Sequence, residues 1–323
     1  MKFNEIPYDE LITCDFWLND LAEGFDWNPG DEVRSVTFLE PSKTFEFFQH
    51  CQSVRRPIIV ISGASDFGIN DQFDNHPNKD IEKIINGMAL TPFHPPKDKY
   101  IGIPQINAPV NNRTSNPLHI HSVKMDRYTI CTFDEIPHCI KHWFCSNLNS
   151  KLPQAELIPF GLAPSHDPKQ TRDYFSSLWG APCHALIYLN FSDYTVERIL
   201  LKKHYAGNES FHISKRNDLS AKDYIDELAH CESCLCPPGN GIGCYRELEC
   251  WYTGVVPIMK NSMYSQHIAL SGLPVHIVDD LFNIDIKKLE EYLLSNPFET
   301  ADLTRLTKSF WRKRLEEAKR EYT

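Results

Sequence analysis

Residues 231–260 read CESCLCPPGNGIGCYRELECWYTGVVPIMK. An apolar run through Cys234, Leu235 and Cys236 meets Pro237 and Pro238, and glycines then alternate at Gly239, Gly241 and Gly243. A helix-forming segment follows with Arg246, Glu247 and Glu249, and it closes at Gly254 before a second apolar run, Val255 to Met259. Strand, glycine-rich turn, helix, strand is the order in which a doubly wound α/β domain aims a helix N-terminus at a phosphate. Glycines admit close backbone approach, and the free N–H groups of a first helical turn favour an anion. Arg246 falls in or near that turn, and its planar fork suits phosphate oxygens. Glu249 lies three residues on, on the same helical face, where a carboxylate can accept from both hydroxyls of a ribose. A plain turn with a helix-surface ion pair is the alternative, yet Pro-Pro-Gly-x-Gly-x-Gly is more specialised than a connector requires. The pattern is not Gly-x-Gly-x-x-Gly and no acid ends the next strand in register, so a nicotinamide site fits less well. No Gly-Lys-Ser/Thr of an NTPase loop occurs.

Outward from this motif the second half of the chain is regular. Strands are expected at Ala185–Phe191, Ser210–Ser214, Glu232–Cys236, Val255–Met259 and Pro274–Val278, with helices at Tyr194–Tyr205, Ala221–Ala229, Cys244–Tyr252 and Ile286–Leu294. Such alternation means βαβ units and a parallel sheet. A last helix, Ala301–Tyr322, spaces Leu303, Leu306, Phe310 and Leu315 along one face. The first half is irregular α/β. It has strand-like runs at Ser35–Leu39, Pro57–Ser62, Tyr128–Phe133 and Leu157–Leu162 and a helical stretch over Ser42–Cys51. A Pro/Asn-rich passage from Phe73 to Pro117 shows little periodicity, and Pro164–Asp173 is a polar stretch without apolar pattern, placed as the boundary.

At 323 residues the length suits about two domains. No apolar run approaches the roughly 18 residues that span a bilayer, and the N-terminus has acids where a signal peptide needs a basic start. The expectation is a cytoplasmic protein without a membrane span. Eleven cysteines in apolar surroundings suit reduced thiols better than a disulfide framework. A net charge of −10 argues against a protein built mainly to grip a nucleic-acid backbone, though it leaves room for a local basic face. The basic residues from Lys308 to Arg320 alternate with Glu316, Glu317 and Glu321 and read as a solvated helix face.

The run Cys236-Pro-Pro-Gly-Asn-Gly-Ile-Gly-Cys-Tyr-Arg-Glu-Leu-Glu249, followed by Tyr252-Thr-Gly-Val-Val-Pro-Ile258, resembles the nucleotide-sugar motif of exostosin-like glycosyltransferases of GT-B fold, of the type found in bacteria and large DNA viruses. Lys141-His-Trp-Phe-Cys-Ser-Asn147 with Ile158-Pro-Phe-Gly161, and Asn190-Phe-Ser-Asp-Tyr-Thr195 with Arg198, also look like that family. The resemblance implies two Rossmann-like domains facing across a cleft: an acceptor-side domain at 1–165, a nucleotide-sugar-binding domain at 166–299, and a helix at 300–323 packing back on the first. It implies that Arg246 contacts the diphosphate and Glu249 the ribose. Gly239, Asn240 and Gly241 then shape the phosphate turn, and Asn190, Ser192 and Arg198 line the donor side. Lys215, at the end of the Ser210–Ser214 strand, offers a second positive contact. Gly243 and Tyr245 stand where many relatives have an acid and a histidine, so no role transfers to those two positions.

The activity implied is transfer of a sugar from a nucleotide-diphosphate donor, UDP-sugar favoured, to a hydroxyl acceptor, foremost a glycan. Hydroxymethylated pyrimidines of DNA remain an alternative acceptor, and a non-catalytic nucleotide-sugar or glycan module an alternative class. No cofactor and no metal are expected, since GT-B transfer generally proceeds without an ion and the chain has no convincing Asp-x-Asp. An inverting transfer needs a base, and Asp66, just beyond the Pro57–Ser62 strand, is the candidate, with His94 and Asp71 in reserve; capping of the next segment is its alternative role. Two clusters, Cys231/Cys234/Cys236/Cys244 and His138/Cys139/His142/Cys145, hint at zinc. Alternate strand residues point to opposite faces, however, so core thiols are the expected reading. His119 and His121 read as solvated.

Overall fold

The computed structural model describes residues 5–12, 17–23, 25–40, 43–63, 121–125, 128–132, 136–148, 152–163, 168–192, 196–214, 219–238 and 242–322. They divide into two compact units. The C-terminal unit takes the described residues of 1–15, 159–239 and 243–312; the N-terminal unit takes those of 16–158, 240–242 and 313–323. Among the described residues no helix is long and apolar enough to cross a membrane.

The N-terminal unit contains α1 (Trp17–Leu21), β1 (Val36–Phe38), α2 (Thr44–Cys51), β2 (Ile58–Ser62), an antiparallel hairpin of β3 (His121–Met125) and β4 (Tyr128–Thr132), β5 (Ile140–Cys145) and β6 (Ala155–Leu157). Its parallel sheet runs β1-β2-β5-β6. All five residues of β2 are buried, as a parallel strand covered on both faces requires. Phe48 of α2 meets the Trp143 ring edge-on at 5.7 Å, and Trp27 meets Phe47 at 5.1 Å. The Trp143 indole donates to Ser62 Oγ at 2.8 Å, which satisfies a polar atom in the core.

Two sequence expectations shift here. β5 was not foreseen as a strand, because Lys141 and His142 interrupt its apolar run; His142 is nonetheless buried, with Nε2 3.2 Å from Glu156 Oε2. The strand expected at Leu157–Leu162 lies instead at Ala155–Leu157, since Pro159 has no N–H for the ladder. From the end of the chain, Arg314 Nε donates to the same Glu156 Oε2 at 3.0 Å.

The C-terminal unit contains α3 (Pro168–Leu178), β7 (Ala185–Leu189), α4 (Val196–His204), β8 (Phe211–Ile213), α5 (Ala221–Ala229), β9 (Cys231–Leu235), α6 (Tyr245–Thr253), β10 (Val256–Lys260), α7 (Met263–Leu270), β11 (His276–Val278), α8 (Ile286–Ser295) and the start of α9 (Lys308–Tyr322). α3 occupies part of the stretch expected to be a polar boundary. Pro168 opens it, where a missing N–H costs nothing, and Phe175 and Leu178 bury its inner face. α9 starts later than expected, after two short 3-10 turns, with Thr307 Oγ1 accepting from Phe310 N at 3.3 Å. Residues 5–12 join this unit because Ile12 N donates to the Tyr252 hydroxyl, which itself donates to Leu306 O.

All five strands are parallel, in the order β8-β7-β9-β10-β11. The chain steps to one side of β7 for β8 and to the other for β9. The order therefore reverses between β7 and β9, and doubly wound sheets bind ligands outside the carboxyl ends of the strands at such a reversal.

Candidate functional site

The strands at the reversal are in register, with Tyr188 opposite Cys234. Beyond β7 come Asn190, Phe191 and Ser192; beyond β9 come Cys236, Pro237 and Pro238, and the glycine-rich segment of the sequence then leads to α6. Sequence expectations fix on the same ground. Asn190, Ser192, Arg198, Arg246 and Glu249 are placed by the structure, whereas Asp66, Lys215, Gly239, Asn240 and Gly241 lie outside the described residues.

α6 begins at Tyr245, making Arg246 its second residue. The Glu247 carboxylate turns back to accept from Cys244 N at 2.9 Å, so it fixes where the helix starts and takes up one of the N–H groups there. Glu247 is buried; burial first, then the neighbouring Cys236, pushes its carboxyl up to about 8. Arg246 Nε donates to the Tyr224 hydroxyl at 3.2 Å and Nη1 lies 4.0 Å from Cys244 Sγ. Burial, and then the Glu249 carboxylate, hold the Tyr224 phenol protonated. Glu249 is buried, and its charge acts on Tyr224.

Arg198, on α4, is also buried. Its Nε donates to Pro238 O at 3.0 Å and its Nη2 to Pro237 O at 3.1 Å. It braces the two carbonyls at the entrance to the glycine-rich turn. Burial, and next the charge of Arg246, press its pKa below the ordinary guanidinium value, yet an arginine keeps its proton. Both guanidinium groups lie over the Phe191 ring, with Arg198 Cζ 5.6 Å and Arg246 Cζ 5.5 Å from its centre, and Lys202 Nζ at 5.4 Å. Three cations thus gather around one ring beside a helix N-terminus. An anion relieves that repulsion, and a diphosphate carries the matching charge.

A second chain of polar contacts begins at Asn190. Its Nδ2 donates to the Tyr188 hydroxyl at 3.0 Å, and that hydroxyl donates to Glu227 Oε2 at 3.0 Å. His212 stacks on Tyr188 with ring centres 5.8 Å apart and reaches Glu227 at 3.6 Å. Asn190 is thus held in place from below, while Ser192 is exposed.

Lys202, Phe191 and Tyr224 have no role in the sequence reading, where Glu247 counts only as the second acid of the helix. Lys202 is one turn after Arg198 and Glu247 is three residues after the helix cap, so both signals were present. Tyr224 comes from α5, and nothing local links it to Arg246.

The thiols do not group as their spacing suggested. Among the described residues Cys234 and Cys236 converge with Cys250 of α6; Cys231 and Cys244 stand apart, and His138, Cys139, His142 and Cys145 do not converge. Cys51, Cys139, Cys145, Cys183, Cys231, Cys234, Cys236, Cys244 and Cys250 are free thiols.

Residues 160–278, which run through β7 to β11, match the family model of the RXYLT1 C-terminal domain, an exostosin-related glycosyltransferase family. The match supports a glycosyltransferase. No curated protein matches the chain.

Proposed function

We propose that the protein transfers a sugar from a nucleoside-diphosphate sugar, a UDP-sugar in first place, to a hydroxyl of a glycan acceptor, with the GT-B arrangement and the C-terminal unit as donor domain. The observation that carries this reading is the convergence of Arg198, Lys202 and Arg246 on Phe191 at the β7/β9 reversal, next to the N-terminus of α6. As the glycosidic bond to the donor breaks, negative charge grows on the leaving diphosphate. Arg246, Lys202 and the helix N-terminus stabilise that charge with groups already in place. Glu249 takes the ribose hydroxyls, Asn190 and Ser192 line the donor side, and Gly239, Asn240 and Gly241 give the phosphates close backbone approach, with Lys215 as a further cation. Asp66 serves as base if the reaction inverts. In this reading the transfer needs no metal at the diphosphate, since Arg246, Lys202 and the helix N-terminus supply the positive charge.

Isothermal calorimetry with UDP, GDP and their sugars tests the site. Arg246→Ala should weaken nucleotide binding by about 1.5–3 kcal/mol, the range for a lost charge-assisted contact. Lys202→Ala should weaken the diphosphate more than the nucleoside monophosphate. Slow release of free sugar from the donor without acceptor marks an enzyme rather than a binder. Unchanged affinity in both variants places the donor elsewhere.

A further inference from the structure

Beneath the same turn lies a feature that sugar transfer does not use. Cys234 in β9 and Cys236 just past its end lie two residues apart, on one face, and Cys250 reaches them from α6. The three Sγ atoms lie within 4.8 Å of one another, Cys236 and Cys250 at 4.0 Å. All three residues are at most 2% exposed. Metal–sulfur bonds of about 2.3 Å in a planar three-coordinate complex put the sulfurs about 4.0 Å apart, so the thiols already stand close to that triangle. Among the described residues no histidine, acid or fourth cysteine joins them, which departs from the four-ligand set of structural zinc. Thiolates alone select soft ions. Arg246, whose charge acts on Cys234 and Cys236, supplies a counter-charge for the thiolates.

We propose that Cys234, Cys236 and Cys250 form a buried three-sulfur site for a soft, thiophilic metal ion, with Cu(I) as the fitting biological example. Binding forms three metal–sulfur bonds, releases three thiol protons to solvent and changes no oxidation state. The ion ties the end of β9 to α6.

The test is an anaerobic titration of the reduced full-length protein with Cu(I), against a chromophoric Cu(I) chelator, with X-ray absorption on the loaded protein. One tightly held ion per chain and a first shell of three sulfurs at about 2.3 Å are expected. Cys250→Ser should lose the competition with the chelator, and Cys183→Ser, which alters an exposed thiol, should keep it. The wild-type absorption spectrum decides the matter even where Cys250→Ser does not fold. A shell of two sulfurs, a shell with nitrogen or oxygen ligands, or complete transfer of copper to the chelator overturns the proposal.

Discussion

Two guanidinium groups and an ammonium cannot crowd one benzene ring without cost, and the residues around them show how that cost is met. Arg198 gives donors to the Pro237 and Pro238 carbonyls, and Arg246 leans on the Tyr224 hydroxyl. Glu247 is the least expected member of the group, because it is buried within the helix start and its carboxyl is raised from 4.5 to about 8. Folding therefore favours its protonated form, while the unfolded chain ionises near 4.5. The stability this group contributes is fully present below about 4.5 and is lost as pH rises through about 8. Glu247→Gln keeps an oxygen to accept from Cys244 N and removes the titration. Thermal melting of the parent should thus fall relative to Glu247→Gln as pH rises across that window. Parallel melting curves for the two proteins would show that Glu247 does not titrate in the fold.

At the level of elements, α6 is defined at both ends: Glu247 sets its start and Gly254, at φ +80°, ends it in the left-handed region. A Cβ at Gly254 meets the Trp179 ring at 3.6 Å, an ordinary contact, so the penalty of a side chain there is conformational. Gly254→Ala should cost about 1–2 kcal/mol in urea denaturation, and Gly254→Asn less, because asparagine tolerates this conformation. Equal stability of all three proteins would remove the cap from the account. This helix was legible in the sequence, as was the β/α alternation from Ala185 onward apart from α7, because turn residues and apolar runs coincide with the structural boundaries there; α5 falls at Ala221–Ala229, as expected. Other elements were not legible, for identifiable reasons. The polar start of α3 hides Phe175 and Leu178, and α7 follows β10 too closely to stand out. β5 carries Lys141 and His142, and only its partners in space, Glu156 for His142 and Ser62 for Trp143, make that sequence suit a sheet. The site divides in the same way. Arg246 and Glu249 share one helix and could be read from spacing, whereas Tyr224 and Cys250 reach their partners through the tertiary fold.

For the molecule as a whole, the question is which parts of the chain each interaction stabilises. The N-terminal unit gathers residues from both halves of the sequence: Glu156 of β6 accepts from Arg314 of α9 and lies against His142 of β5. Its side chain is 20% exposed and that of Arg314 is 24% exposed, so solvent screening reduces the worth of the pair to about 1 kcal/mol. Nucleotide binding at the proposed donor site would act on the other unit and be worth more, about 2.7 kcal/mol at a concentration a hundred times Kd. Hydrogen exchange read by mass spectrometry separates the two effects. Saturating UDP should slow exchange in peptides covering 185–192, 231–238 and 245–253, because the ligand stabilises the β7/β9 reversal and the start of α6. Arg314→Ala should speed exchange in peptides covering 140–145, 155–158 and 313–322, where the charge-assisted bond is lost, and should leave the UDP-dependent protection unchanged. Absence of UDP protection from 185–192 and 245–253 would remove the donor site from the C-terminal unit. Unaltered exchange across β5 and β6 in Arg314→Ala would reduce the Glu156 contact to a surface pairing of no energetic weight.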